Sequence, residues 1–167
     1  MRIILTGRSG SGKSTLLNLL ANNGERLPVI SETAREVLNR FPEQSVYFKQ
    51  VKMLYRQWIK EEDNKDGIFD RSLIDYVVFS KRIGIKLPFY DEQLYGRYNM
   101  VLKMPNRPFK NDGVRIEKDE DEASEIQGEI DQLYHENAHA LILVPNIEMS
   151  GQYRFVNGLL QKIRGRR

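Results

Sequence analysis

The chain has 167 residues, 40% apolar and 29% charged, the make-up of a folded protein with room for one sizeable core. A formal net charge of +3 is mild, so it permits a nucleic-acid partner without favouring one, and no apolar run reaches the length of a membrane span. Without a single cysteine, disulfides and thiolate metal sites are excluded, and the expectation is one domain over residues 1–167, cytoplasmic, with no leader before its first strand.

Residues 2–6 form a short β-branched run that reads as a buried strand and stops at Gly7. The next eight residues, Gly7-Arg8-Ser9-Gly10-Ser11-Gly12-Lys13-Ser14, fit the phosphate-binding pattern G-x-x-x-x-G-K-[ST]. From Thr15 the leucines recur with helical spacing as far as Asn22-Asn23-Gly24, which suits a helix end. Strand, loop and helix in that order are what a triphosphate site needs. Glycines let backbone N–H groups turn inward around phosphate, and the helix N-terminus adds partial positive charge. Gly7, Ser9, Gly10, Ser11, Gly12, Lys13, Ser14 and Thr15 are therefore expected to bind the phosphates of a nucleoside triphosphate. Lys13 would reach the β- and γ-phosphates, and the Ser14 hydroxyl would sit on Mg²⁺.

Residues 26–30 read as a second strand, followed by a helix in which Thr33 and Glu36 have capping-box spacing and Ala34, Val37, Leu38 and Phe41 share an apolar face. After Pro42 a long amphipathic helix is expected, with Val46, Val51, Leu54 and Trp58 as its buried stripe. Residues 67–70 make a third strand ending on Asp70. Ser72 and Asp75 then have capping spacing for a helix that turns Val77, Val78 and Ile83 inward, and a further short helix runs up to Gly96. A fourth strand over 98–104 leads into a loop over about 105–118 that carries Arg107, Lys110 and Arg115. The helix beyond has Ile126, Ile130, Leu133 and Tyr134 on its inner face. Residues 140–144 form a fifth strand, and the last helix buries Phe155, Val156, Leu159, Leu160 and Ile163.

Strands alternating with helices give an α/β fold: a five-stranded, mostly parallel sheet with helices on both faces. Ligands of such sheets bind beyond the carboxyl ends of the strands, which selects the polar residues that matter. Asp70 closes the third strand, where phosphate-binding-loop proteins place the acid that holds or orients the Mg²⁺ shell. Glu32 follows the second strand across the same crevice, as a base for an attacking hydroxyl or an anchor for the acceptor. Arg35, one turn on, binds an acceptor anion or pairs with Glu32. Arg71 contacts phosphate or acceptor, or pairs with a neighbouring carboxylate. The loop after the fourth strand reads as a lid that delivers an arginine to the transferring phosphoryl group, with Arg115 the first choice and Arg107 the second.

His135-Glu136-Asn137-Ala138-His139 matches the zinc-protease pattern H-E-x-x-H, but its second histidine abuts the fifth strand, where a helix must already be ending. The pair reads as a helix-end coincidence. The basic tail over residues 162–167 reads as a solvated helix end.

Together, Gly7 to Thr15, Ser31-Glu32-Thr33-Ala34-Arg35-Glu36, Phe69-Asp70-Arg71-Ser72 with Asp75, and Asp112-Gly113-Val114-Arg115-Ile116-Glu117 resemble the small P-loop AAA-type family that includes the ribosylnicotinamide kinase domain of NadR-type proteins. The Asp-Arg-Ser element is also similar to that of deoxynucleoside and thymidylate kinases. The resemblance implies a P-loop NTPase fold with a kinase-like strand arrangement, the loop strand lying beside the Asp70 strand. It also implies ATP and Mg²⁺ as donor and metal, with phosphate passing to a small hydroxyl acceptor. The expected function is thus phosphoryl transfer to a hydroxyl or phosphate of a nucleoside- or nucleotide-like acceptor, catalysed through Lys13, Glu32, Asp70 and Arg115, with Ser14 and Asp70 on the metal and Glu32, Arg35 and Arg71 on the acceptor. Two alternatives stay open: a 5′-hydroxyl polynucleotide kinase, and a nucleotide-dependent switch protein with no acceptor. Acceptor identity, the choice of ATP or GTP, and oligomeric state are not legible in the sequence.

Overall fold

The computed structural model describes residues 1–87, 94, 96–107 and 119–165. Arg115, most of the expected lid, the short helix before Gly96 and the last two arginines lie outside the described residues. The described residues form β1 (Arg2–Thr6), α1 (Lys13–Asn22), β2 (Val29–Ile30), α2 (Thr33–Arg40), α3 (Val46–Asp63), β3 (Gly67–Asp70), α4 (Leu73–Arg82), β4 (Met100–Lys103), α5 (Glu120–Asn137), β5 (Leu141–Leu143) and α6 (Met149–Arg164).

The five strands make one sheet in the order β2-β3-β1-β4-β5, and every pairing is parallel. β1 lies at the centre because its run of β-branched and leucine side chains can be buried on both faces at once. Its residues alternate between two cores. Ile4 joins its register partners Phe69 and Val101 against α2, α3, α4 and α5. Ile3 and Leu5 join Ile68 and Leu102 against α1 and α6. The order also sets β3 beside β1, so Asp70 and the glycine loop emerge side by side at the carboxyl edge of the sheet.

Three expectations are corrected. β2 keeps only the two residues that pair with Ile68 and Phe69 at the sheet edge, instead of five. The capping residue of α2 is Glu32, with no side-chain cap bond; Thr33 is already helical and its hydroxyl donates to Gln57 Oε1 at 2.7 Å. The largest departure is α3. Leu54 is buried and Trp58 packs against the core as expected, but Val46 and Val51 are exposed, and Gln50, Met53, Gln57 and Glu61 face inward in their place. Apolarity alone misplaced half of that helix face, because the inner side of α3 is also built to hydrogen-bond. The buried Glu61 carboxylate accepts from the Leu73 amide at 2.7 Å, Arg97 Nε at 2.9 Å and the Tyr98 hydroxyl at 3.0 Å, so it ties α3 to the start of α4 and to the segment that enters β4.

α5 and α6 follow the sequence reading more closely. Ile126, Ile130 and Tyr134 are buried from α5, and Val156 and Leu160 from α6. α5 ends at Asn137, so His139 stands beyond the helix that the zinc-protease pattern requires.

Candidate functional site

The loop between β1 and α1 turns on three glycines in the left-handed region: Gly7 at φ 135°, Gly10 at 78° and Gly12 at 94°. Only glycine holds such angles without strain, and the alternation aims successive N–H groups into one concavity. A side chain at Gly7 would press on Met104 Cβ at 3.1 Å, and one at Gly12 would overlap Met149 Cε at 2.7 Å. The cradle is therefore walled by β4 and by the first turn of α6. Ser11 is fully buried within it, Thr15 is exposed, and Ser9 is half-buried on its rim. Arg107, just beyond β4, brings its guanidinium nitrogen to 3.6 Å from the position a Gly12 Cβ would take. Of the two lid arginines named from the sequence, Arg107 is thus the one that the described residues set over the loop.

Lys13 lies over this cradle with its ammonium buried. It donates to the Gly7 carbonyl at 2.8 Å and the Arg8 carbonyl at 2.9 Å. Burial, with Arg71 adding repulsion, pulls its pKa down to about 8 despite the opposing pull of Asp70 and Glu32.

At the mouth of α1, the Ser14 hydroxyl donates to Asp70 Oδ2 at 2.8 Å. Asp70 is buried, and its second oxygen, Oδ1, has no partner. Burial pushes its pKa up; Lys13 resists and the nearby Glu32 adds to the rise. A hydroxyl and a half-satisfied buried carboxylate are hard oxygen donors of the kind that Mg²⁺ prefers. The residues present therefore fit such an ion, and Ser14 and Asp70 are the ones that could hold it.

Glu32 and Arg71 complete the arrangement. Arg71 is a non-glycine residue in the left-handed region, at φ 70°. Such strain persists only where surrounding contacts fix the residue. Here Arg71 Nε donates to Glu32 Oε1 at 3.3 Å and Nη1 to Asp75 Oδ1 at 3.1 Å, while the guanidinium lies 5.9 Å from the Phe79 ring centre. Burial alone would favour losing its proton, but Asp75 and Glu32 more than compensate and hold it cationic. Lys13, Arg71, Asp70, Glu32 and Asp75 make two cations and three carboxylates, a surplus of one negative charge.

A protein-family model for an AAA domain matches residues 2–152. The chain belongs to that AAA-domain family. No curated protein matches it. Among solved structures, this AAA domain is similar to the deoxyadenosine kinase of M. mycoides with dCMP and dCDP bound, at TM-score 0.70 and 15% identity, covering 98% of this chain and 100% of that one. It is also similar to shikimate kinase of Aquifex aeolicus, at TM-score 0.60 and 17% identity over 96% of each chain. The thymidylate kinase of Candida albicans follows at TM-score 0.56 and 14% identity, covering 98% of this chain and 92% of that one. At these identities the likeness is one of fold.

Beside Ser14 and Asp70, the AAA domain opens a cleft of about 470 Å³ between α1 and α2. Ser14, Asp70 and Glu32 line it where it is buried or half-buried, with Leu17 and Val29, and the exposed Ala21, Arg35 and Asn39 line it toward solvent, so that the carboxylates lie at its inner end and Arg35 on its lip. Sequence reasoning foresaw Arg35 on the same face as Glu32, but the partner of Glu32 is Arg71. It also missed the support beneath that pair. Asp75, read only as a helix cap, does close the capping box with Ser72. It also accepts from Thr6 Oγ1 at 2.9 Å and from the Tyr134 hydroxyl at 2.5 Å. Nothing in the sequence distinguishes Tyr134 from the other inward residues of α5.

Proposed function

We propose that this protein is a P-loop kinase that moves the γ-phosphoryl group of ATP, with Mg²⁺, to a hydroxyl of a small nucleoside-like acceptor held in the α1–α2 cleft. The observation that carries the reading is convergence. Ser14 from the loop helix, Asp70 from β3 and Glu32 from the end of β2 meet at the inner end of one cleft. Bound there, the metal ion would supply charge neutralisation and a template for in-line transfer. Lys13 would offer its ammonium to the β- and γ-phosphates, and Arg107 a second cation above the loop; Arg115 remains the alternative lid arginine.

Glu32 would accept the proton of the attacking hydroxyl, with Arg71 holding it in place. A hydroxyl suits the inner end better than a phosphate, because the groups that would meet it are carboxylates. The Arg71 cation is already shared between Glu32 and Asp75. Arg35 on the lip carries the charge that would read a polar or anionic outer part of the acceptor.

The test is transfer of labelled γ-phosphate from ATP across a panel of nucleosides, nucleoside monophosphates, nicotinamide riboside and 5′-hydroxyl oligonucleotides. A nucleoside-like hydroxyl compound is expected to be labelled, and Glu32→Gln to lower turnover about 10²- to 10⁴-fold while nucleotide binding persists. Hydrolysis with no labelled acceptor, or a Glu32→Gln variant with full turnover, would reject the proposal.

A further inference from the structure

Helix α2 begins without help from its own capping residue. An N-cap residue ordinarily turns its side-chain oxygen onto the second or third free N–H of the helix, and the helix dipole draws a carboxylate there as well. Ser45, Ser72 and Asp119 do this for α3, α4 and α5. Glu148, the capping residue of α6, bends back to the Ser150 hydroxyl of its own first turn. Glu32 does neither, although it stands at the N-cap of α2. Its carboxylate accepts from Arg71 instead.

The N–H that Glu32 would take is already occupied. It belongs to Ala34, and it donates at 3.1 Å to the hydroxyl of Tyr76, which lies 42 positions further along the chain on α4. Tyr76 is buried, and its carbonyl accepts from Gln50 Nε2 of α3 at 3.1 Å, so the phenol stands on a fixed stretch of α4. The neighbouring Thr33 hydroxyl is held by Gln57 of α3, whose amide also donates to the Arg71 carbonyl at 3.3 Å. Burial, together with the nearby Glu32 charge, pushes the Tyr76 pKa upward, so this cap stays neutral.

We infer that Tyr76 is a positioning residue for Glu32: its hydroxyl caps α2 from another helix, which leaves the Glu32 carboxylate to face the cleft. The consequence for turnover rests on the phosphoryl-transfer reading above; the cap rests on geometry alone. Arg71 is not a sufficient guide, because its Nε lies 3.3 Å from Glu32 Oε1 and the same guanidinium is shared with Asp75. Tyr76→Phe keeps the ring in the core and removes only the capping oxygen. The Ala34 N–H is then orphaned beside a carboxylate, and Glu32 turns back onto its own helix, away from an attacking hydroxyl.

Four chains test this: the parent, Tyr76→Phe, Glu32→Ala and the double variant. Hydrogen exchange at the Ala34 amide reads the cap with no need for activity. The amide should stay protected in the parent, in Glu32→Ala, where Tyr76 caps, and in Tyr76→Phe, where Glu32 takes over. In the double variant it should exchange roughly tenfold faster. Turnover reads the consequence. Tyr76→Phe should lower kcat about 10- to 100-fold at an unchanged nucleotide KM, and should add nothing to the loss caused by Glu32→Ala. Ser45→Ala, which strips α3 of its own cap, is the control and should leave both readings as in the parent. Loss of protection in Tyr76→Phe alone, or none in the double variant, would overturn the proposal. So would a Tyr76→Phe chain with parental kcat, or losses that multiply in the double variant. If none of the chains labels an acceptor, the phosphoryl-transfer reading fails by itself, and the exchange cycle still decides the cap.

Discussion

At the scale of single residues, the strongest lever is the buried ammonium of Lys13. A lysine ordinarily keeps its proton to about 10.5, but burial lowers this one to about 8. The sign follows from linkage. Between those two values the unfolded chain holds a proton that the folded chain has released, so stability rises with pH across that window. Function runs the other way, because an uncharged Lys13 cannot attract phosphate. The nucleotide kcat/KM, which reports ionisations of the free enzyme, should therefore fall as pH rises through about 8. Lys13→Arg should move that alkaline limb upward, since a guanidinium keeps its proton throughout. A profile flat well past pH 8, in parent and variant alike, would remove Lys13 from phosphate binding.

At the scale of elements, the helix after the expected lid is tied to the proposed acceptor side of the site. The Tyr134 hydroxyl of α5 donates to Asp75 of α4, Asp75 accepts from Arg71, and Arg71 holds Glu32 at the start of α2. Tyr134→Phe removes a hydrogen bond to a buried carboxylate and a second one shared with the Ser72 hydroxyl, and should cost about 2–4 kcal/mol of stability. It should also raise the acceptor KM with little change in nucleotide KM, because the hydrogen bonds of Lys13 and Ser14 run to Gly7, Arg8, Ser11 and Asp70 and not to this network. A variant that loses stability with both KM values unmoved would reduce Tyr134 to a structural role. This element-level wiring is what the sequence conceals. The glycine loop is legible because φ above zero admits almost no other residue, and Asp70 is legible because an acid closing an apolar strand has few structural uses. Tyr134, Gln57 and Glu61 carry no such mark, since their partners lie far along the chain and each looks like an ordinary helix position. The same blindness misplaced half of the inner face of α3, where Gln57 is sought by Thr33 and Glu61 by the Leu73 amide.

At the scale of the whole molecule, the sheet separates what stabilises the fold from what loads it. The two apolar cores on either side of β1 were readable as runs of Ile, Leu, Val and Phe, because strands buried on both faces must be apolar throughout. The buried charge of the candidate site sits beyond the carboxyl edge, whereas Glu61 is buried on α3 with Arg97 and Tyr98 as partners, and Asp70 bears the clearest penalty. Its pKa is raised by burial, so ionised Asp70 subtracts from stability at neutral pH, and its Oδ1 gains no hydrogen bond in return. Asp70→Asn should then stabilise the protein at neutral pH by about 1–2 kcal/mol, roughly 2–4 °C for each kcal/mol in a domain of this size. It should abolish magnesium-dependent transfer at the same time. The sign with pH is fixed. As pH falls through the raised native pKa toward the ordinary value of 3.8, the parent takes up the proton that relieves its penalty, so the advantage of the variant shrinks. Melting temperatures of parent and variant, measured from neutral pH down to about 4 with activity alongside, decide the matter. If Asp70→Asn melts below the parent at neutral pH, Lys13 and Ser14 outweigh burial, and the site is a source of stability and not a load on it.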